Sequence, residues 1–254
     1  MGRLDGKVAI VTGGGGGFGS STCRRFVAEG ARVCIADVDE DRGRAVASDL
    51  GDAAFFVRCD HTSRTDAEAA VAQTISRWGS VTTLFNNAGY VWTGKFDALD
   101  TAELQRILTV DLVGMAEMTR ATLPALRSHA EAEPHAGAVI LFMSSGLGLR
   151  GAPGTSGYAV AKHGVTGLMR SLAQELGPEN IRVNSLAPGI ADTAGMRAAW
   201  ASPDEALRTF RDRTPLRRNV EAVDIANAAL YLVSDEARNI HSVSFPVDGG
   251  IYGL

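Results

Sequence analysis

A run of five glycines, Gly13 to Gly17, followed by Phe18 and Gly19, sits directly behind the apolar stretch Val8-Ala9-Ile10-Val11-Thr12. Beyond it, Cys23, Phe26 and Val27 recur at helical spacing, so the glycines join a buried strand to an amphipathic helix. A flexible linker would lack both flanks. At such a junction glycines permit a tight turn and let backbone N–H groups close on a phosphate at the positive end of the helix. The spacing is T-G-x-x-x-G-x-G over Thr12, Gly13, Gly17 and Gly19, which differs from the commoner G-x-G-x-x-G, and the Gly-Lys-Ser/Thr of a triphosphate loop is absent.

The same strand-then-helix rhythm runs through the chain. Val8–Thr12, Arg32–Asp37, Ala53–Arg58, Thr82–Asn86, Ala138–Met143, Ile181–Ala187 and Val243–Val247 read as strands, with helix-length segments between them. Strands apolar on both faces belong inside a parallel sheet covered by helices on both sides. The expected fold is therefore a single-domain, doubly wound α/β sheet of about seven strands spanning 1–254, with right-handed crossovers. No repeat, low-complexity tract or linker marks a boundary. Two stretches are less regular: 130–137, read as a surface connection, and 190–219, long enough to be a substrate lid with short helices of its own.

A formal net charge of −4 without any block of like charges leaves no electrostatic footprint for nucleic acid or an anionic membrane surface. No apolar run reaches the ~18 residues of a membrane helix, and strand-like sequence begins by Lys7, so no secretory leader is read and a cytoplasmic location is expected. Cys23, Cys34 and Cys59 are odd in number, widely spaced and set in apolar surroundings; they read as reduced core residues, with no disulfide framework and no metal site. Lysine is scarce, with only Lys7, Lys95 and Lys162 among 25 basic side chains, so a lysine can mark chemistry that arginine cannot do.

Asp37 closes the second strand roughly 20 residues past the glycines, where a carboxylate can accept from both ribose hydroxyls of NAD and repel the 2′-phosphate of NADP; the alternative is a solvent-exposed turn acid beside Asp39 and Glu40. Asp60, with His61 beside it, closes the third strand and either accepts from an adenine amino group or is an ordinary turn residue. Asn86-Asn87-Ala88-Gly89 ends the fourth strand and Ser144-Ser145 the fifth. Thirteen residues after Ser145 stands Tyr158, with Lys162 one helical turn further on. A phenol with pKa near 10 is a poor base at neutral pH, and a fixed cation on the same helix face lowers it.

Taken together, T-G-x-x-x-G-x-G at Thr12–Gly19, N-N-A-G at Asn86–Gly89, Ser145, Tyr158-x-x-x-Lys162, Asn184 before Pro188-Gly189 with Thr193, and Val247-Asp248-Gly249-Gly250 resemble the short-chain dehydrogenase/reductase family, from Lys7 to Gly250. The resemblance implies a Rossmann fold, a nicotinamide cofactor and a homotetramer, and Asp37 favours NAD over NADP. It implies that Tyr158 is the catalytic acid/base, that Lys162 lowers its pKa and binds the nicotinamide ribose, and that Ser145 holds the substrate oxygen. Gly13, Gly17, Phe18, Gly19, Asp37, Asp60, His61, Asn87, Ala88, Gly89, Tyr158, Lys162, Pro188, Gly189 and Thr193 are the implied cofactor contacts. The expected activity is interconversion of a secondary alcohol and a ketone by hydride transfer. A protein of this fold that binds dinucleotide as a regulator or scaffold is the alternative, against which the intact Ser145, Tyr158 and Lys162 stand.

One position departs from the family. Its pattern resembles V-N-L-x-G, and here Val110-Asp111-Leu112-Val113-Gly114 puts Asp111 where the fourth member of the catalytic set is Asn. Asp100 and Glu103 read as a capping pair for this helix, and Leu104, Leu108, Asp111, Met115 and Met118 as one stripe. A carboxylate on that stripe is neutral or paired, with Lys162 the expected partner. His163 reads as a packing or interface residue, and Gly164 and Gly167 as places where another backbone, or a second subunit, packs closely. Val91, Trp92, Leu147, Leu149 and 196–200 lie near the motifs and are mostly apolar, which points to a hydrophobic or cyclic substrate.

Overall fold

A computed structural model of the chain describes residues 2–252; Met1, Gly253 and Leu254 fall outside, so the apolar sequence Ile251-Tyr252-Gly253-Leu254, which reads as a surface covered by neighbouring subunits, is described only in its first half. Seven strands, β1 (Val8–Thr12), β2 (Arg32–Asp37), β3 (Ala54–Arg58), β4 (Thr83–Asn86), β5 (Ala138–Met143), β6 (Ile181–Pro188) and β7 (Ser244–Val247), form one sheet in the order β3-β2-β1-β4-β5-β6-β7. Every neighbouring pair is parallel. All seven expected strands are present. β3 starts one residue late because 51–53 form a tight turn with Gly51 at φ 61°. β4 starts one residue late: Thr82, just before it, donates its backbone N–H to the Val8 carbonyl at 2.9 Å, but the Val8 N–H is taken by the Thr82 hydroxyl at 3.0 Å.

The helices are α1 (Gly17–Ala28), α2 (Glu40–Leu50), α3 (Arg64–Trp78), α4 (Thr101–Leu108), α5 (Gly114–Ala132), α6 (Ser156–Leu176), α7 (Ala194–Ala199), α8 (Pro203–Arg213) and α9 (Ala222–Val233). They cover both sides of the sheet, α1 packing on α9, α3 on α5 and α4 on α6. Local chemistry sets their starts: the side chains of Asp39, Ser63 and Asp100 accept from backbone N–H groups in the first turns of α2, α3 and α4. β1 and β5 are buried along their whole length, as their β-branched and apolar sequences require, and supply the centre of the core with Phe26, Phe85 and Phe142.

Strand order reverses between β1 and β4, so the loops leaving their carboxyl ends diverge and open a crevice there. The expected connection at 130–137 is shorter than the sequence suggests, since α5 continues to Ala132. Segment 190–219 contains α7 and α8. No described helix is long and apolar enough to cross a membrane. Among the described residues, no group of three or more His, Cys, Asp or Glu side chains is placed to hold a metal ion.

Candidate active site

The carboxyl edge of the sheet is stitched together by Thr12. Its hydroxyl accepts from the N–H groups of Asn87 and Ala88 at 2.9 and 3.1 Å, and the Asn87 amide donates back to the Thr12 carbonyl at 2.9 Å. Gly13 then turns with φ +63°, and a Cβ there would stand 2.9 Å from Ala88 Cα. Gly17 opens α1, and the helix has no side-chain cap and no acid in its first turn. Its first N–H groups are therefore available to an anion in the crevice. Gly19 differs from expectation: it does not line the crevice, and its missing side chain admits the Gly13 carbonyl, 2.1 Å from where a Cβ would be.

The crevice has a volume of about 1280 Å³, larger than the pocket of a single small ligand. Gly13, Gly17, Phe18, Asp37, Asp60, His61, Asn87, Ala88, Gly89, Pro188, Gly189 and Thr193 all line it, together with Asp111, Ser145, Tyr158 and Lys162. Asp37 is tied down at both oxygens, accepting from Gly15 N–H at 2.8 Å and from Asp39 N–H at 3.0 Å. It is half-buried, not a free turn acid. Asp60 accepts from the Thr62 hydroxyl at 2.7 Å, and that bond holds its carboxyl below the usual carboxylate range. The buried His61 donates from Nε2 to the Val110 carbonyl at 2.8 Å, which anchors the turn carrying Asp111.

Tyr158 and Lys162 lie on one face of α6, with the ammonium 5.4 Å from the centre of the phenol ring. Lys162 is only 2% exposed and Asp111 is fully buried, and they form an ion pair of 2.8 Å. The ammonium also donates to the Met143 carbonyl at 3.1 Å, and the Tyr90 N–H sits 3.2 Å from both Asp111 oxygens. Burial raises the Tyr158 phenol and the Asp111 charge raises it further, while Lys162 and a hydrogen bond from Ser145 pull it down; the net direction is up. For Lys162, burial opposes the charge, but Asp111 and Tyr158 outweigh it and the ammonium is held above its ordinary value. A phenol, a hydroxyl and a fixed ammonium converging on one cleft wall can take a proton from, or give one to, a bound oxygen.

A family model described as Enoyl-(Acyl carrier protein) reductase matches residues 14–252. Over 249 residues the chain is 39% identical to a 3-alpha-(or 20-beta)-hydroxysteroid dehydrogenase of Mycobacterium bovis, covering 98% of this chain and 90% of that one. The chain belongs to the short-chain dehydrogenase/reductase family. A trans-4-hydroxycyclohexanecarboxylate dehydrogenase of Sinomonas cyclohexanicum is 35% identical over 260 residues, 98% of this chain and 93% of its own. Among solved structures, a 3-ketoacyl-(acyl-carrier-protein) reductase from Brucella melitensis complexed with NADH superimposes with a TM-score of 0.91 at 33% identity, covering 98% of this chain and 99% of that one.

Several features of this short-chain dehydrogenase/reductase site arise from contacts between segments distant in sequence. The Asp111 turn, Thr109–Val113, is π-helical and links α4 to α5. Its wider winding keeps residues four apart in line, so the buried stripe is Ile107, Asp111, Met115 and Met118, with Leu104 and Leu108 only half-buried. Glu103 does not complete a capping box with Asp100; its carboxylate faces the Tyr90 phenol and raises it. Gly164 faces Leu112 of its own chain, 2.7 Å from a would-be Cβ, while Gly167 meets nothing within 4 Å. His163 is exposed and bonded to the Ala159 carbonyl of its own helix. Trp92 and Leu149 do not line the crevice, whereas Phe210 and Tyr252 do.

Proposed function

We propose that this protein is an NAD-dependent oxidoreductase that interconverts a secondary alcohol and a ketone, with Tyr158 as the acid/base. The observation that carries this is the convergence of Ser145, Tyr158 and Lys162 on the same crevice as the glycine turn and Asp37. The residues fit a dinucleotide. Gly17 leaves space where a side chain would project, a Cβ there meeting nothing nearer than Thr193 Cγ2 at 4.0 Å, and at Gly16 the nearest atom is the flexible Arg42 Nη1 at 3.4 Å, so the α1 N-terminus is accessible to a pyrophosphate. The Asp37 carboxylate keeps lone pairs for ribose hydroxyls beyond the two N–H groups it already serves. The NADH complex of the Brucella reductase supports the same assignment.

When bound, nicotinamide supplies the hydride acceptor for oxidation and the donor for reduction. In oxidation Ser145 fixes the alcohol oxygen and the Tyr158 phenolate takes its proton as the C–H electron pair departs. In reduction the phenol returns that proton to the forming alkoxide. Lys162 has three N–H donors, two of which are engaged by Asp111 and Met143; the third would serve the ribose, while the charge acts on the Tyr158 oxygen through space. Asp111 stands behind Lys162 and holds it in place without itself meeting the reacting atoms. Val91, Leu147, Met196, Trp200 and Phe210 give the remaining wall an apolar character suited to a hydrophobic or cyclic alcohol, and the segment 190–219 acts as its lid. The names of the hydroxysteroid and hydroxycyclohexanecarboxylate relatives agree with that class.

The test is a panel of cyclic and open-chain secondary alcohols and their ketones, assayed with NAD(H) and NADP(H) in both directions. Turnover of cyclic members with NAD(H) is expected. Tight NADH binding without turnover of any member would favour the regulatory alternative. The chain is further read as a homotetramer, with Val113 and Val160, 46% and 57% exposed, among the surfaces covered by neighbours. Light scattering that returned a monomer at micromolar concentration would remove that assignment.

A further inference from the structure

The Asp111–Lys162 pair is unlike every other ion pair among the described residues. The others keep at least one partner substantially exposed, whereas here both side chains are sealed, at 0% and 2% exposure. A buried carboxylate is costly unless its charge is met, and Asp111 meets only the ammonium and one backbone N–H, that of Tyr90. The π-helical turn brings it there, held from behind by the His61 bond to the Val110 carbonyl. Gly89 leaves the space it occupies, since a Cβ at that position would stand 2.7 Å from Asp111 Oδ1 and 3.4 Å from Lys162 Nζ. Three separate segments therefore converge to put a negative charge against the ammonium that faces Tyr158.

We propose that Asp111 is a positioning residue whose carboxylate fixes Lys162 against the sheet and partly neutralises its field at the Tyr158 hydroxyl, thereby setting the pH at which that group becomes active. The inference rests on the assignment of Tyr158 as the acid/base. Its electrostatic logic follows from what surrounds the phenol. From α6 comes Lys162; from the π-helical turn, Asp111; from the loop after β5, the neutral Ser145; and from the C-terminal segment, Tyr252, itself flanked by Arg150, Arg213 and Asp248. Among the described residues, Lys162 and Asp111 are the two that act on Tyr158 as charges, and they act in opposite directions. Asp111 has no exposure through which to pass a proton to bulk water, so its influence is exerted through the field and geometry of Lys162.

Asp111→Asn retains the shape and an acceptor for the Tyr90 N–H while deleting the charge. In this variant the alkaline rise of kcat/KM should move down by roughly one pH unit, with turnover retained. A merely structural role would lower activity evenly at all pH values. The second readout needs no cofactor: tyrosinate absorbance is titrated in the apoprotein, and the Tyr158 step is obtained by difference from Tyr158→Phe. That step should lie above the ordinary phenol range in the wild type and fall in Asp111→Asn. An unchanged step and pH profile in Asp111→Asn would overturn the proposal, as would a wild-type Tyr158 step well below the ordinary range, which requires no folded Asp111 variant. If no alcohol is oxidised, the functional assignment fails while the apoprotein titration still decides the role of Asp111.

Discussion

Replacing Asp37 by Asn probes the proposal that this residue sets cofactor choice. The carboxylate is half-buried at the end of β2 and is held by Gly15 N–H and Asp39 N–H, so it cannot swing away from a ligand. A phosphate charge brought within about 4 Å of it is repelled by ~1 kcal/mol at the dielectric of water and by ~4 kcal/mol at the effective value near a protein surface. Arg42 opposes part of this. Its Nη1 lies 3.4 Å from where a Gly16 Cβ would be, and its ion pair with Asp39 at 2.6 Å is exposed, so releasing it to a phosphate costs only about 0–1 kcal/mol. Between these limits, and with Arg42 opposing part of the repulsion, the net discrimination is about 1.4 kcal/mol, or roughly tenfold in kcat/KM for NAD over NADP. Initial rates with both cofactors on one good substrate measure it. Asp37→Asn should bring the two efficiencies within a few-fold, and adding Arg42→Ala should widen the gap again by weakening NADP. Equal or reversed efficiency in the wild type, or an undiminished gap in Asp37→Asn, would refute the assignment of Asp37.

Burial pushes the Cys34 and Cys59 thiols up to about 12 and Cys23 higher still, so no thiolate is present at pH 8. The native protein should leave a chromogenic disulfide reagent unreacted over an hour and consume three equivalents when denatured; rapid native labelling would contradict the burial. Gly43→Ala puts a methyl 2.3 Å from the Phe56 ring and should cost ~1–3 kcal/mol in denaturant unfolding as α2 is forced off β3, with an unchanged midpoint counting against that packing. Lys162→Arg keeps the charge but cannot seat a planar guanidinium between Asp111 and the Met143 carbonyl, so kcat should fall by about tenfold or more, and near-wild-type turnover would show that charge alone suffices.

The sheet was legible because parallel strands buried on both faces must be runs such as Val-Ala-Ile-Val or Ala-Val-Ile-Leu-Phe-Met, which little else in a soluble chain resembles. The crevice was legible because its residues leave the carboxyl ends of those strands, so spacing from a strand end predicts position in the site. What escaped depends on contacts between distant segments. Asp111 could be read as buried and paired, but the π-helical turn that aims it is enforced by His61 and Gly89, residues remote in sequence. Glu103 has the spacing of a capping partner and goes instead to Tyr90, because a side chain chooses among neighbours that only the fold supplies. Gly164 looked like a subunit contact because a helical glycine signals close approach without saying whose atoms approach; they belong to Leu112. Tyr252 reaches the crevice from the far end of the chain, where no local pattern marks it.

The central claim is that the Tyr158 hydroxyl moves the proton while hydride is transferred in the adjoining crevice. Tyr158→Phe removes that single oxygen from a ring already packed on α6 beside Lys162. The decisive measurement is kcat for the best secondary alcohol in this variant, set beside the NADH dissociation constant from fluorescence titration. A loss of roughly 10²-fold or more in kcat is expected, with NADH affinity within a few-fold of wild type. Turnover within a few-fold of wild type, with cofactor bound equally well, would show that another group carries the proton.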